Sequence, residues 1–126
     1  MAAFQIAVAD SPFPSLDPIR EVVSRIGGEV QLAADATPEA ILRVAKDADA
    51  VLVTYGQITG DIIRQLTKSR IISRMGIGTD NIDIEAATKA GIVVTKVPDY
   101  CTDEVSDHTM ALLLAVVRKI PFINAQ

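Results

Sequence analysis

The chain has 126 residues, of which 49% are hydrophobic and 22% charged, with a net charge of −4, five aromatic rings and one cysteine. No apolar run approaches the ~18 residues that span a bilayer, and no basic cluster exceeds two residues, so neither a membrane nor a nucleic acid is an expected partner. The lone Cys101 can build neither a disulfide framework nor a metal site by itself, so no metal is expected. The opening MAAFQIAVADSP carries no basic residue before its apolar stretch, unlike a secretory signal, and a cytoplasmic protein is expected.

In chain order, five short β-branched runs read as strands: QIAVA (5–9), EVQLA (29–33), AVLVT (50–54), RIISRM (70–75) and GIVVT (91–95). Between the first two, Ile19, Val22, Val23 and Ile26 recur at helical spacing and form one apolar stripe, closed by Gly27 and Gly28. Thr37 suits a helix N-cap and Pro38 the first helical position, whose N–H would have no partner anyway. ITGDIIRQL gives a short third helix, and Asp83 can cap a fourth, IEAATKA, which Gly91 ends. Strands alternating with helices imply right-handed crossovers and a parallel sheet. The expected fold is therefore α/β: a flavodoxin-like five-stranded parallel sheet in the order 2-1-3-4-5, with helices on both faces.

The tail differs. After a proline hinge, a helix is expected to start near Thr102 or Asp103 and to stop at Pro121, with Arg118 and Lys119 in its last turn opposing the dipole. Every residue from Met110 to Val117 is apolar, so this helix has no watery face over two turns and requires cover from outside the five-stranded unit.

The chemistry is expected at SRMGIGTDNID, residues 73–83. A dinucleotide fingerprint needs three glycines, but the third place is Asn81, and the carboxylates of Asp80 and Asp83 would repel a diphosphate. A strand-to-helix turn is the plain alternative. Loops at the carboxyl ends of parallel strands are nevertheless where such sheets bind ligands, and glycine-flanked N–H groups form a concave anion seat. With Arg74 beside them, Gly76 and Gly78 suit a short carboxylate better than a diphosphate. His108, the only histidine, reads as a helix-surface residue held by a neighbouring carboxylate, and Cys101 is a weak nucleophile candidate. Asp10 ends the first strand like one acid of a phospho-receiver pocket, but the third strand ends in LVTYG and supplies no second acid. Tyr55 and Gln57 follow that strand and either line the same sheet edge or form a polar loop.

From about Ile71 to Ile120 the sequence resembles the D-isomer-specific 2-hydroxyacid dehydrogenases. The shared features are an Arg-x-Gly-x-Gly-x-Asp-Asn-Ile-Asp loop, then Gly-Ile-x-Val, Val-Pro, and Glu-Val-x-Asp-His before an apolar helix. Phosphoglycerate and glyoxylate dehydrogenases belong to this family, and so do corepressors of the C-terminal binding protein branch, to which ADSPFPSLDP is similar.

The resemblance implies a substrate domain and an NAD-binding domain with the active site between them. It places Arg74, Met75, Gly76, Ile77 and Gly78 at the substrate site, with backbone N–H groups on the carboxylate of a small 2-hydroxy or 2-oxo acid. It places Ile77, Cys101 and Val105 near the nicotinamide of NAD or NADP, although Cys101 stands where many members carry Asn or Ser. Residues 1–99 would be an incomplete substrate-binding domain, and 100–126 the hinge and first helix of the cofactor domain. A homodimer through helix 103–120 is implied. The family's fingerprint and its catalytic arginine, acid and histidine all come later, so no catalytic residue is assigned, and an inactive N-terminal piece of an oxidoreductase is expected. An NAD-sensing corepressor without turnover is the alternative.

Overall fold

The computed structural model describes residues 3–125; Met1, Ala2 and Gln126 lie outside the described residues. Five strands, β1 (Phe4–Val8), β2 (Gly28–Leu32), β3 (Ala50–Val53), β4 (Ile71–Arg74) and β5 (Val93–Thr95), form one sheet in the order β2-β1-β3-β4-β5. All four pairings are parallel. Each strand overlaps its expected run, with the ends shifted by a residue or two. The last begins late because Gly91 takes a left-handed φ of 69°, which turns the chain before pairing can start.

The helices between strands are α1 (Asp17–Ser24), α2 (Pro38–Ala45), α3 (Gly60–Ile63) and α4 (Ile84–Lys89). Their starts follow from local chemistry. Thr37, Thr59 and Asp83 each accept an N–H from the first turn of α2, α3 and α4. Gly27, at φ 71°, turns the chain out of the α1 region into β2.

The two faces of the sheet are unequally covered. Ile41 of α2, Ile62 and Ile63 of α3 and Ala87 of α4 share one buried cluster with Ala7, Val51, Val53 and Ile72 of the strands. Val8, which points the other way, is buried with Leu16 and Val23 around α1. Alternation along β3 and β4 shows the difference: Val51, Val53 and Ile72 are buried, whereas Ala50, Leu52, Ile71 and Ser73 are only half-buried. Helices thus lie on both faces as expected, but α1 alone covers the second. Of its apolar stripe, Val23 is buried and Ile19 half-buried; Val22 and Ile26 face solvent.

The tail departs further from expectation. Helix α5 spans Thr102–Val117 and carries no buried residue. Its cap is Arg118, and Lys119 takes a left-handed φ of 56°, so neither cation sits in the last turn. Pro121 does not stop the chain's helical course. It is accommodated at the start of a second short helix, α6 (Ile120–Asn124), where proline's missing N–H is harmless. The apolar run from Met110 to Val117 is exposed apart from a half-buried Ala115, so nothing among the described residues covers it. α5 meets α6 and makes no comparable packing with the sheet.

Candidate functional site

The site is assembled at the carboxyl ends of β1, β3, β4 and β5. Its foundation is Asp10, just past β1. Asp10 Oδ1 accepts the Thr54 N–H at 2.8 Å and Oδ2 the Tyr55 N–H at 2.8 Å. A second clamp comes from the far side: Asn81 Nδ2 donates to Gly56 O at 2.8 Å, and the Ile58 N–H donates to Asn81 O at 2.8 Å. Residues 54–58 are therefore held between an acid after the first strand and an amide in the turn after the fourth. Asp10 is a bracket for this loop, not a phospho-receiver acid.

The loop fixes Tyr55, and Tyr55 in turn supports Arg74. The Arg74 guanidinium carbon lies 5.9 Å from the Tyr55 ring centroid, within cation–π range. From there the guanidinium folds back over Gly76: a Cβ built at Gly76 would sit 1.3 Å from Arg74 Nη1. Glycine at 76 is required by this close approach and not by its φ, which is not positive. Arg74 Nε and Thr54 Oγ1 are the two buried side-chain polar atoms without a hydrogen-bond partner among the described residues, and both belong to this site.

The backbone of the loop divides into engaged and free groups. The Met75 N–H donates to Val53 O at 2.8 Å, and Gly76 O accepts the Val97 N–H at 3.0 Å, tying the segment after β5 to the loop. Met75 therefore contributes no free amide. Among the described residues the N–H groups of Gly76, Ile77 and Gly78 meet no acceptor. Ile77 and Gly78 are exposed, so those two amides lie at the surface, next to Arg74. Three consecutive amides without an acceptor, beside an unpaired guanidinium, are groups able to receive an anion.

Two cavities meet at Arg74, Tyr55 and Thr54. One, of about 280 Å³, is polar and is lined also by Gln57, Gly78, Asp80 and Asn81. The other, of about 930 Å³, is walled by the Pro12–Pro14 loop, Ile19, Val97 and Tyr100. Tyr100 titrates above its ordinary 10.0: the Cys101 side chain beside it raises the value by hydrogen bonding and by charge, while Arg74 works in the opposite direction. At neutral pH Tyr100 is thus an uncharged hydroxyl.

The residues expected near a nicotinamide are less tightly gathered. Cys101 is half-buried at the N-cap of α5, Val105 is exposed in its first turns, and Ile77 is 39% exposed on the loop. Among the described residues no hydrogen bond joins Ile77 to Cys101 or Val105. The diphosphate of a dinucleotide does not fit this loop. Asp80 follows the second glycine, and the Ala86 N–H at the start of α4 is already taken by Asp83 Oδ1 at 2.9 Å. His108 is exposed on α5 and, contrary to expectation, pairs with no carboxylate among the described residues. Among the described residues there is no metal-binding cluster, and no helix is long and apolar enough to cross a membrane.

Asp10 and Asn81 were assigned no such role from sequence, because their partners lie 25 to 45 residues away and leave no local signal.

Comparison with known proteins places the chain in a family. A D-3-phosphoglycerate dehydrogenase of Methanocaldococcus jannaschii is 43% identical over 113 residues, which is 86% of this chain and 22% of that protein. A glyoxylate reductase of Pyrococcus furiosus is 39% identical over 83 residues, 65% of this chain and 25% of that one. The chain thus spans about a quarter or less of these relatives. Among solved structures, the NAD+-bound 3-phosphoglycerate dehydrogenase of Entamoeba histolytica superposes with a TM-score of 0.81 at 33% identity, over 90% of this chain and 39% of that one. Residues 6–122 match the catalytic domain of the D-isomer specific 2-hydroxyacid dehydrogenases, and the chain belongs to that family.

Proposed function

We propose that these residues form the substrate-binding part of a cytoplasmic NAD(P)-dependent oxidoreductase that interconverts a small D-2-hydroxy acid and its 2-oxo acid. The observation that carries this reading is the pairing of an unpartnered, buried Arg74 Nε with three free amides at Gly76, Ile77 and Gly78. A carboxylate arriving at the loop would accept from several of these donors at once, and a hydrogen bond to a charged group is worth about 1.5–3 kcal/mol. Residues 1–99 serve as the substrate domain and 100–126 as the hinge and first helix leading to a cofactor domain.

Arg74 and the amides orient the acid and neutralise its charge. Fixing the carboxylate leaves the 2-carbon presented above the loop, so positioning is this chain's contribution to rate. A nicotinamide cofactor supplies the hydride when bound. This chain offers it only apolar surface at Ile77 and Val105, with Cys101 alongside, and its diphosphate must be held by other residues. The chain by itself is therefore expected neither to bind NAD tightly nor to turn over. Exposed Met110–Val117 supports a homodimer through helix 103–120.

Titrating the isotopically labelled chain with glyoxylate tests the reading. The backbone resonances of Gly76, Ile77 and Gly78 should shift together, and Arg74→Gln should weaken binding by about 10- to 100-fold, as for a hydrogen bond to a charged group. Shifts confined to other regions would remove the proposal. Steady oxidation of NADH by this chain alone would refute its inactivity.

A further inference from the structure

Thr54 is held on both sides of its backbone and left free at its hydroxyl. Its N–H donates to Asp10 Oδ1 at 2.8 Å, and its carbonyl accepts from Asn81 Nδ2 at 3.4 Å. The residue is 3% exposed, yet Oγ1 meets neither a donor nor an acceptor among the described residues. Other threonine hydroxyls of this chain are engaged: Thr37 and Thr59 cap helices, Thr67 donates to Lys46 O and Thr88 to Ile84 O. A valine has the same shape and would fill this place without burying an unpaired hydroxyl, so packing does not account for threonine here.

The partner of that hydroxyl has to come from the wall in which it stands. Oγ1 is closed off by this chain's own residues, so a group arriving from outside reaches it only if the wall moves. Arg74 Nε is closed off in the same way, has no acceptor, and belongs to a side chain that lines the same two cavities. The two atoms are chemically matched: a guanidinium Nε–H only donates, and a threonine oxygen accepts through two lone pairs. Arg74 is also the member of the wall able to move. Its guanidinium forms no ion pair among the described residues and rests over Gly76, within cation–π range of Tyr55. An acid taking the Gly76 amide shares the space over that glycine, and the guanidinium shifts to admit it.

We infer that Thr54 is a positioning residue for Arg74: as an acid seats on the amides, the arginine side chain turns so that Nε donates to Thr54 Oγ1 and the two Nη groups face the carboxylate. This rests on the proposed carboxylate seat and deepens it by naming what holds the arginine once the acid is bound.

The test uses the natural protein that carries these residues, with NADH or NADPH supplied and whichever of glyoxylate, hydroxypyruvate and pyruvate it reduces fastest. Thr54→Val should melt at or above the temperature of the parent, since it removes an unpaired buried hydroxyl, yet raise the KM for the acid about tenfold. The KM for the cofactor should not change. Thr54→Ser keeps the hydroxyl and should restore the KM for the acid to within about twofold of the parent. In an Arg74→Gln background, Thr54→Val should add no further loss, because the hydroxyl acts through the arginine. An unchanged KM in Thr54→Val, a lower melting temperature, or an equal further loss without Arg74 would each overturn the inference, and a KM raised by Arg74→Gln alone would leave the carboxylate seat standing. If the parent reduces none of the three acids, the proposed activity falls and this inference with it.

Discussion

The Arg74 guanidinium occupies the space where any side chain at position 76 would begin: Nη1 lies 1.3 Å, and the guanidinium carbon 2.6 Å, from a Cβ built on Gly76. The last residue of β4 and a glycine of the following turn are thereby matched, the cation folded across the glycine and the glycine kept bare beneath it. The arrangement holds the guanidinium over Gly76 and within cation–π range of the Tyr55 ring.

Gly76→Ala should separate binding from folding. The atoms that would clash belong to the end of a flexible side chain, and the φ at 76 is not in the left-handed region, so Arg74 swings away and the fold survives. We expect a melting temperature within a few degrees of the parent, and affinity for a 2-oxo acid reduced about tenfold or more. Gly28→Ala should do the reverse. Its Cβ would stand 2.7 Å from Val23 Cγ1 and 3.3 Å from Val23 O, inside the α1–β2 contact. Overpacking of that kind costs about 1–3 kcal/mol. Thermal melts and acid titrations of both variants give the answer; equal loss of binding in the two would contradict the distinction.

Asp10→Ala should loosen the site from behind. Both carboxylate oxygens accept backbone N–H groups, from Thr54 and Tyr55, and removing them leaves two donors unpaired beside the buried Thr54. A loss of about 2–4 kcal/mol in unfolding free energy is expected, with weaker acid binding because Tyr55 no longer supports Arg74. Asp10→Asn keeps one acceptor and should lose about half as much. Denaturant melts of the three proteins measure this, and an unchanged Asp10→Ala midpoint would show that the bracket is dispensable.

Sequence and structure agree where the determinants are local. The strand order follows from β-branched runs separated by helical spacing, and the caps at Thr37 and Asp83 from side chains three residues from their targets. A turn after β4 was legible because two glycines follow a strand end. What escaped depends on distance. Asn81 failed a fingerprint as a missing glycine, yet it is the amide that holds the loop after β3. Arg118 and Lys119 suit the last turn of α5 by charge, but a left-handed Lys119 ends the helix before them. The expected cover over Met110–Val117 is not supplied by the described residues, because α5 carries no buried residue.

Acid should weaken the fold partly through Asp49. Its carboxylate accepts the Gln5 N–H at 2.8 Å and pairs with Lys68. The backbone bond first, and the lysine second, hold its pKa below the ordinary 3.8. A depressed folded value means that the contribution is present above 3.8 and is lost as pH falls through the lower folded value. Asp17 and Asp35 are depressed too, so the informative quantity is a difference. Asp49→Asn should be less stable than the parent at pH 6, and the gap should close as the pH is taken below 3.8 and through the lower folded value. Melts across that range check it; a gap that stays constant would assign the loss to something other than this ionisation.

The exposed helix leads to the last prediction. Leu112 and Val116 lie one turn apart on α5 and are 56% and 72% exposed, with Leu113, Leu114 and Val117 beside them. Residues three or four apart share a helix face, so these side chains form a continuous apolar surface of the kind that marks an interaction site. Among the described elements α6 is the one that packs on α5 most, and a second copy offers the same surface in return. Sedimentation of the chain should therefore show concentration-dependent dimers at micromolar levels. Leu112→Glu combined with Val116→Glu should give monomers, and the melting transition of the sheet should be unchanged because neither residue touches its core. A parent chain that stays monomeric across the accessible concentration range, with α5 still helical, would rule out self-association through this helix.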